Sequence, residues 1–325
     1  MTTVIVTGGA GYIGSHAAKL LEKAGYNPVV YDDLSTGHEW AVKWGPLEIG
    51  SIGDSERLVG VMERYKPDAV FHFAAQCLVG ESMQKPLSYY NKNVGETITL
   101  LQAMKQARCH KLIFSSSCAT FGEPEVDLIT EDTIQQPINP YGRSKLMIET
   151  ILADAEKEFP LNSVILRYFN AAGGDPEAAI GEAHDPETHI IPIILQCALG
   201  TRDKVNIYGD DYLTPDGTCI RDYIHVTDLA EAHLLALKWL EAGKGSEHFN
   251  LGGGNGYSVY DVIEACRKIT GHLIPTQICP RREGDPSKLI ASVAKAKKSL
   301  CWSPKMSDIS TIVADAWRWA QKSSA

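Results

Sequence analysis

The chain has 325 residues, of which 44% are hydrophobic and 22% charged, enough for about two globular domains of ordinary size. Its formal net charge of -9 excludes sequence-independent binding to nucleic acid, which needs a broad basic face, so any anionic ligand must be met by positive groups gathered locally. No apolar run reaches the roughly 20 residues of a membrane span, and no two of the eight cysteines stand at C-x-x-C spacing; no membrane partner is expected, and reduced, mostly buried thiols in a cytoplasmic setting are.

Residues 4–6 read as a buried strand, starting so early that no targeting peptide is expected before it. Residues 12–24 then read as a helix and 28–31 as a second strand. Further strands are expected at 69–73, 111–115 and 163–167, with long helices at 93–107 and 141–157. Strands alternating with helices imply parallel βαβ units, hence an α/β fold with a doubly wound parallel sheet of Rossmann type. After Asn170 the elements shorten and Gly173-Gly174-Asp175-Pro176 breaks the pattern. We therefore expect a first domain over 1–170 and a smaller mixed α/β domain over 171–325, with segments such as 221–240 able to pack back on the first.

Gly8, Gly11 and Gly14 follow the first strand and open the first helix. Small residues there permit a tight turn and bring backbone N–H groups close to a pyrophosphate at a helix N-terminus. Asp32 ends the second strand, where a carboxylate accepts hydrogen bonds from an adenosine ribose and repels a 2′-phosphate; this favours NAD over NADP. Tyr141 and Lys145 stand four apart on one helix face. A nearby ammonium favours the phenolate, and lowering the phenol from about 10 to about 7 would make it a base near neutrality. Ser115, Ser116 and Ser117 follow the strand from Lys111, at the sheet edge where ligands bind in such folds.

With these pieces in place the chain resembles the extended short-chain dehydrogenases/reductases, and most closely the UDP-glucose (UDP-galactose) 4-epimerase family. The resemblance is carried by residues 7–16, 79–82, 115–117, 140–145, 166–170, 221–225 and 281–285. It implies a homodimer, a tightly held NAD and a UDP-sugar substrate. It also implies roles. Tyr141 takes the proton of the sugar 4-hydroxyl, Lys145 supports it and holds the nicotinamide ribose, and Ser117 bonds the same hydroxyl. The cofactor is met by Gly8, Gly11, Tyr12, Ile13 and Gly14, by Asp32, Leu34 and Ile52, and by Phe73, Ala74, Ala75, Asn93, Ser115 and Phe169. The UDP-sugar is met by Asn170, Asn206, Tyr208, Arg221, Arg282 and Asp285, the two arginines suiting a diphosphate. The chain departs from the common pattern at Cys77, where many members have lysine, at Ser51, where an acid is frequent, and at Thr188 and His189, which align with an Asn pair. Leu289 occupies a position that influences admission of N-acetylated sugars.

Related dehydratases carry an Asp-Glu pair after the catalytic Ser/Thr and related decarboxylases a Glu; Cys118 and Ala119 stand there instead, against both reactions. The physiological sugar is left open between glucose/galactose and xylose/arabinose. A simple dehydrogenase with exchangeable NAD, and a non-catalytic NAD-sensing interaction protein, are the other readings; retention of Tyr141 and Lys145 argues against the latter. His184, Asp185, Glu187 and His189 match no standard metal spacing, so no metal is expected and the loop is read as structural or substrate-facing. His72 is read as a satisfied core residue, and Asp228 as a helix N-cap.

Overall fold

The first strand, β1 (Thr3–Thr7), is buried on both faces, as a central strand of a parallel sheet must be. In this computed structural model, which describes residues 2–282 and 285–323, the chain winds outward from β1 in both directions. First come α1 (Tyr12–Lys23), β2 (Asn27–Asp32), β3 (Leu47–Ile49) and α2 (Ser55–Tyr65). Next are β4 (Ala69–His72), the short α3 (Val79–Gln84) and α4 (Pro86–Tyr89), then α5 (Glu96–Gln106) and β5 (Lys111–Ser117). The helix expected over 93–107 is interrupted. Residues Tyr90–Gly95 form a π-turn before α5 begins, and this aims Asn93 inward with no solvent exposure. The long helix α6 (Pro140–Glu158) and β6 (Asn162–Tyr168) complete the alternation.

The seven-stranded sheet has the order β10-β6-β5-β4-β1-β2-β3, every neighbouring pair parallel. Its last member, β10 (Glu247–Leu251), arrives late in the chain, behind α8 (Val226–Glu241), which packs on α1. Residues 1–170 therefore do not hold the whole of the first sheet: α8, within the segment expected to pack back, and β10 beyond it both join this layer. The reason lies in burial, since α8 is apolar over most of its surface and needs cover on more than one side.

The second layer is built from β7 (Asn170–Ala172), α7 (Ile190–Ala198), β8 (Val205–Tyr208) and β9 (Ile220–His225), then β11 (Gly256–Ser258), α9 (Val259–Thr270), β12 (Thr276–Cys279) and β13 (Lys288–Leu289). The sheet around β9 is mixed, with β11 antiparallel and β7 and β13 parallel to it; β8 and β12 form a separate pair. The chain ends in α10 (Ala294–Leu300) and α11 (Ile309–Ser323), the latter packed on α7 and α9. Among the described residues no helix is long and apolar enough to cross a membrane. All eight cysteines are free thiols; four are buried, two half-buried, and Cys77 and Cys301 exposed.

Two buried acids join the layers. Asp228 is not the N-cap of α8. That place is taken by His225, whose ring Nδ1 accepts from Thr227 N–H. The Asp228 carboxylate instead receives the amides of Lys305 and Met306 and the hydroxyl of Ser307, fastening the C-terminal segment. Asp222, on β9 and fully buried, receives the amides of Gly253, Gly254 and Ala291. Burial nevertheless pushes its pKa up to about 7. Asp222→Ala would strand three buried N–H groups, so we predict a loss of about 3 kcal/mol or more, read as a lower urea midpoint at unchanged slope.

Candidate active site

The turn after β1 meets the turn after β4 at the point where the strand order reverses, the place where open α/β sheets bind ligands. Gly8 sits at φ +72°, and a Cβ there would lie 2.6 Å from the Ala74 nitrogen. A Cβ on Gly14 would lie 2.2 Å from the Gly8 carbonyl oxygen. Gly11 is the N-cap of α1 and leaves the first-turn amides without a side-chain partner. These three glycines form a cradle of the size and polarity for a pyrophosphate.

Asp32 closes the other side of that cradle. Its Oδ2 accepts from Ala10 N–H at 2.9 Å and its Oδ1 from Leu34 N–H at 2.8 Å, with Leu34 held at φ +57°. Burial raises its pKa, opposed by these two amides. A carboxylate has about four acceptor sites, so capacity remains for a ribose diol. The residues present thus fit a dinucleotide with an unphosphorylated ribose.

Other expected contacts fall at different depths. Tyr12 donates its hydroxyl to the Gly173 carbonyl and ties the cofactor turn to the second layer, while Ile13 stays half-buried. Phe73, Ala74 and Ala75 are half-buried along the turn after β4, and Phe169 is buried in the core that Phe73 packs against. Ile52 packs into the core behind α2. Asn93 stands behind the lining: its amide bonds both backbone groups of Gln76 and the hydroxyl of Ser144, so it holds the β4 turn onto α6. At the departing position 51, Ser51 donates to the Glu96 carboxylate.

Tyr141 lies in the first turn of α6, capped by Asn139 with Pro140 at the first helical position. Gly142 is required beside it, since a Cβ would fall 2.3 Å from the Ala119 carbonyl oxygen. That approach presses the α6 terminus against the turn at Cys118–Thr120 and brings Tyr141 close to Ser117, whose side chain favours the phenolate. Lys145 is buried and donates to the Ser115 carbonyl at 2.8 Å, with its ammonium 5.9 Å from the centre of the Tyr141 ring. The Ser115 hydroxyl faces His233 Nε2 at 3.0 Å.

The electrostatics differ from the sequence expectation. The Tyr141 phenol is held well above its ordinary value, chiefly by burial and then by Tyr168 and Cys77. Burial also lowers Lys145 to about 8. The spacing of four puts the ammonium near the phenol, but desolvation outweighs its effect in this buried place. His72 is a satisfied core residue, its ring between the hydroxyls of Thr7 and Thr97.

The residues expected to take the UDP-sugar lie on β7, β8 and β9 and in the segment after β12. Cys118, one residue past Ser117, lies within charge range of Arg221 and Asp222, and burial pushes its thiol up to about 12. Arg221 is ion-paired to Asp285, and Arg282 lies over the Tyr208 ring, 3.9 Å from its centre. Asn206 is exposed on β8 and, with Arg282, draws the Tyr208 phenol below its ordinary value, while Asn170 donates to the Asp222 carbonyl. Of the expected stretch 281–285, Glu283 and Gly284 lie outside the described residues. Sequence reasoning missed Asn139 and Gly142, although Asn before Pro at a helix start is a readable cap signal. It also missed the buried Arg167–Glu149 pair, 2.7 Å, which receives the Ser116 hydroxyl behind the site. Only the fold brings those two together.

Residues 4–252 match the NAD dependent epimerase/dehydratase family. The chain belongs to this family. A UDP-glucose 4-epimerase of Lacticaseibacillus casei is 52% identical over 318 residues, covering 98% of this chain and 96% of that protein. The crystal structure of UDP-glucose 4-epimerase from Brucella ovis in complex with NAD is 50% identical with a TM-score of 0.96, covering 98% of this chain and 99% of that one. A UDP-glucose-4-epimerase from Stenotrophomonas maltophila, with bound NAD and formylated UDP-arabinopyranose, is 39% identical with a TM-score of 0.96, covering 100% and 99%. Like other members of the epimerase/dehydratase family, the chain depends on NAD.

Two predictions follow from the geometry. Gly14→Ala forces the cofactor turn apart, and NAD released on denaturing the purified protein should fall by about 10- to 100-fold in apparent affinity terms. Lys145 carries its charge below pH about 8 and loses it above, because its pKa is lowered from the ordinary lysine value. We predict that kcat/KM falls as pH rises through about 8; a flat profile to pH 10 would contradict this role for the ammonium.

Proposed function

We propose that this protein interconverts UDP-glucose and UDP-galactose by inverting C4 of the sugar. The observation that carries this reading is the grouping of Tyr141, Lys145 and Ser117 at one sheet edge, with Cys118 and Ala119 where elimination would need an acid and a base. When bound, NAD supplies a hydride acceptor that returns the hydride to either face of C4, so no external reductant is consumed. The cradle of Gly8, Gly11 and Gly14 with Asp32 holds it.

The chain's own residues handle the proton and the substrate. Tyr141 accepts the proton of O4 as the 4-ketose forms, and returns it to O4 once the ketose has presented its other face. Lys145 keeps positive charge under the phenolate from its seat on the Ser115 carbonyl, and Ser117 orients O4 between itself and Tyr141. Arg282 is without an acidic partner among the described residues and meets the diphosphate, with Arg221 held ready by Asp285. Asn206 and Tyr208 flank the nucleotide and Asn170 the sugar.

The UDP-xylose/UDP-arabinose pair is the second reading, favoured by the arabinopyranose ligand of the Stenotrophomonas relative. A cytoplasmic homodimer belongs to the same proposal. Its support is a patch of exposed Met83, Leu87, Ile98 and Met147 on the neighbouring helices α3 to α6, apolar surface that a second copy would cover.

Proton NMR of the purified protein with UDP-galactose, and separately with UDP-xylose, tests the reaction without added NAD. A C4 epimer in the first tube is expected, and the relative rates name the preferred sugar. Tyr141→Phe should lower turnover by about 10²- to 10⁴-fold while UDP-sugar binding by calorimetry is kept. Near-normal turnover of that variant would remove Tyr141 as the base.

A further inference from the structure

The loop between β7 and α7 carries four side chains that the reaction above does not use. Glu182, His184, Glu187 and His189 each offer one donor atom, and all four atoms lie within 4.8 Å of one another. His184 Nδ1 stands 3.3 Å from a Glu182 oxygen and 3.5 Å from a Glu187 oxygen. His189 Nδ1 stands 3.9 Å from Glu187 and in closer contact with Glu182. A tetrahedral ion with bonds of about 2.0–2.1 Å spaces its donors about 3.3–3.4 Å apart. His184 stands near that spacing from both glutamates, whereas His189 must draw back from its hydrogen bond to Glu182 as an ion enters.

Charge and hydrogen bonding point the same way. Both glutamate side chains are 95% buried, at 5% exposure, and no lysine or arginine pairs with either among the described residues. Two buried carboxylates side by side need positive charge, either from the two imidazoles or from a bound cation. His184 Nδ1 is shielded from solvent yet makes no aligned hydrogen bond to the carboxylates beside it. The surroundings are held in place. Glu187 accepts the amides of Thr188 and His189, Trp319 Nε1 donates to the Glu182 carbonyl, and His38 Nε2 meets the Ala183 carbonyl. Such outer contacts orient ligands in metal sites.

We propose that Glu182, His184, Glu187 and His189 bind one divalent first-row transition ion of the zinc class. Two imidazoles with two carboxylates suit that class and disfavour magnesium and calcium, which take oxygen. The spacing E-x-H-x-x-E-x-H hides the site from motif reading, because it matches no standard zinc pattern. The ion's place in the fold defines its role. His184 packs edge-on against Tyr12, ring centres 6.3 Å apart, so the clasped loop is pressed onto the cofactor turn. His189 is half-exposed and leaves a path for loading from solvent.

The test uses the full-length protein, stripped with a chelator and desalted. Zinc chloride titrated against a chromophoric competitor should fill one site per chain at submicromolar affinity. Cobalt(II) should give the intense visible bands of a tetrahedral centre, abolished by zinc, while magnesium chloride does neither. His184→Ala and Glu187→Gln should each weaken zinc by at least about 100-fold, since losing even an outer-shell contact costs 10–100-fold. His189→Ala, at the half-exposed ligand, gives the same reading if a buried variant fails to fold. Cys77→Ser with Cys301→Ser should leave binding unchanged. Substoichiometric zinc, or zinc undiminished by His184→Ala with His189→Ala, would overturn the site and leave an ion-pair cluster only.

Discussion

The active site depends on two stretches of backbone touching. The turn after β1 and the turn after β4 approach so closely that a single Cβ on Gly8 would collide with Ala74. A parallel sheet puts the C-terminal ends of all its strands on one edge, and reversal of strand order opens a crevice there. The contact at Gly8 keeps that crevice shallow enough for backbone amides to reach a pyrophosphate. The same economy of atoms recurs at Gly142, where α6 closes on the turn that carries Ser117. In both places the missing side chain, rather than a present one, sets the distance between functional groups.

Burial then sets the chemistry. Lys145 and Tyr141 lie in desolvated surroundings that disfavour the charged form of each, lowering the ammonium to about 8 and raising the phenol. The Ser115 carbonyl gives the ammonium a partner, and burial strengthens that contact. A charged intermediate formed there is stabilised by groups already in position, with little water to reorganise.

The second layer is joined to the first by polar groups as much as by apolar packing. Tyr12 reaches Gly173, Lys19 reaches Asp175 at 2.6 Å, and Trp40 stacks on Trp319 across the junction. Asp222 and Asp228 hold loops from the late part of the chain against β9 and α8. The same layer brings Arg221 within charge range of Cys118, next to Ser117, although the two are far apart in sequence. The acidic chain thereby assembles the local positive charge that its composition requires.

The sequence by itself determined the parts whose physics is local. Strand and helix periodicity marked out β1, α1, β2 and α6. The glycine spacing marked the tight turn after β1, Asp32 was placed at the end of β2, and an interval of four put Tyr141 and Lys145 on one face. The tertiary structure alone decided what depends on distant contacts. It sent β10, beyond the segment expected to pack back, to the edge of the first sheet, because its apolar surface needs partners from another part of the chain. It tied Asn93 to Gln76 and Ser144, and turned Asp228 from a cap into a latch. It raised the phenol that helix spacing alone would have lowered, because desolvation depends on everything packed around a group and not on its neighbours in sequence.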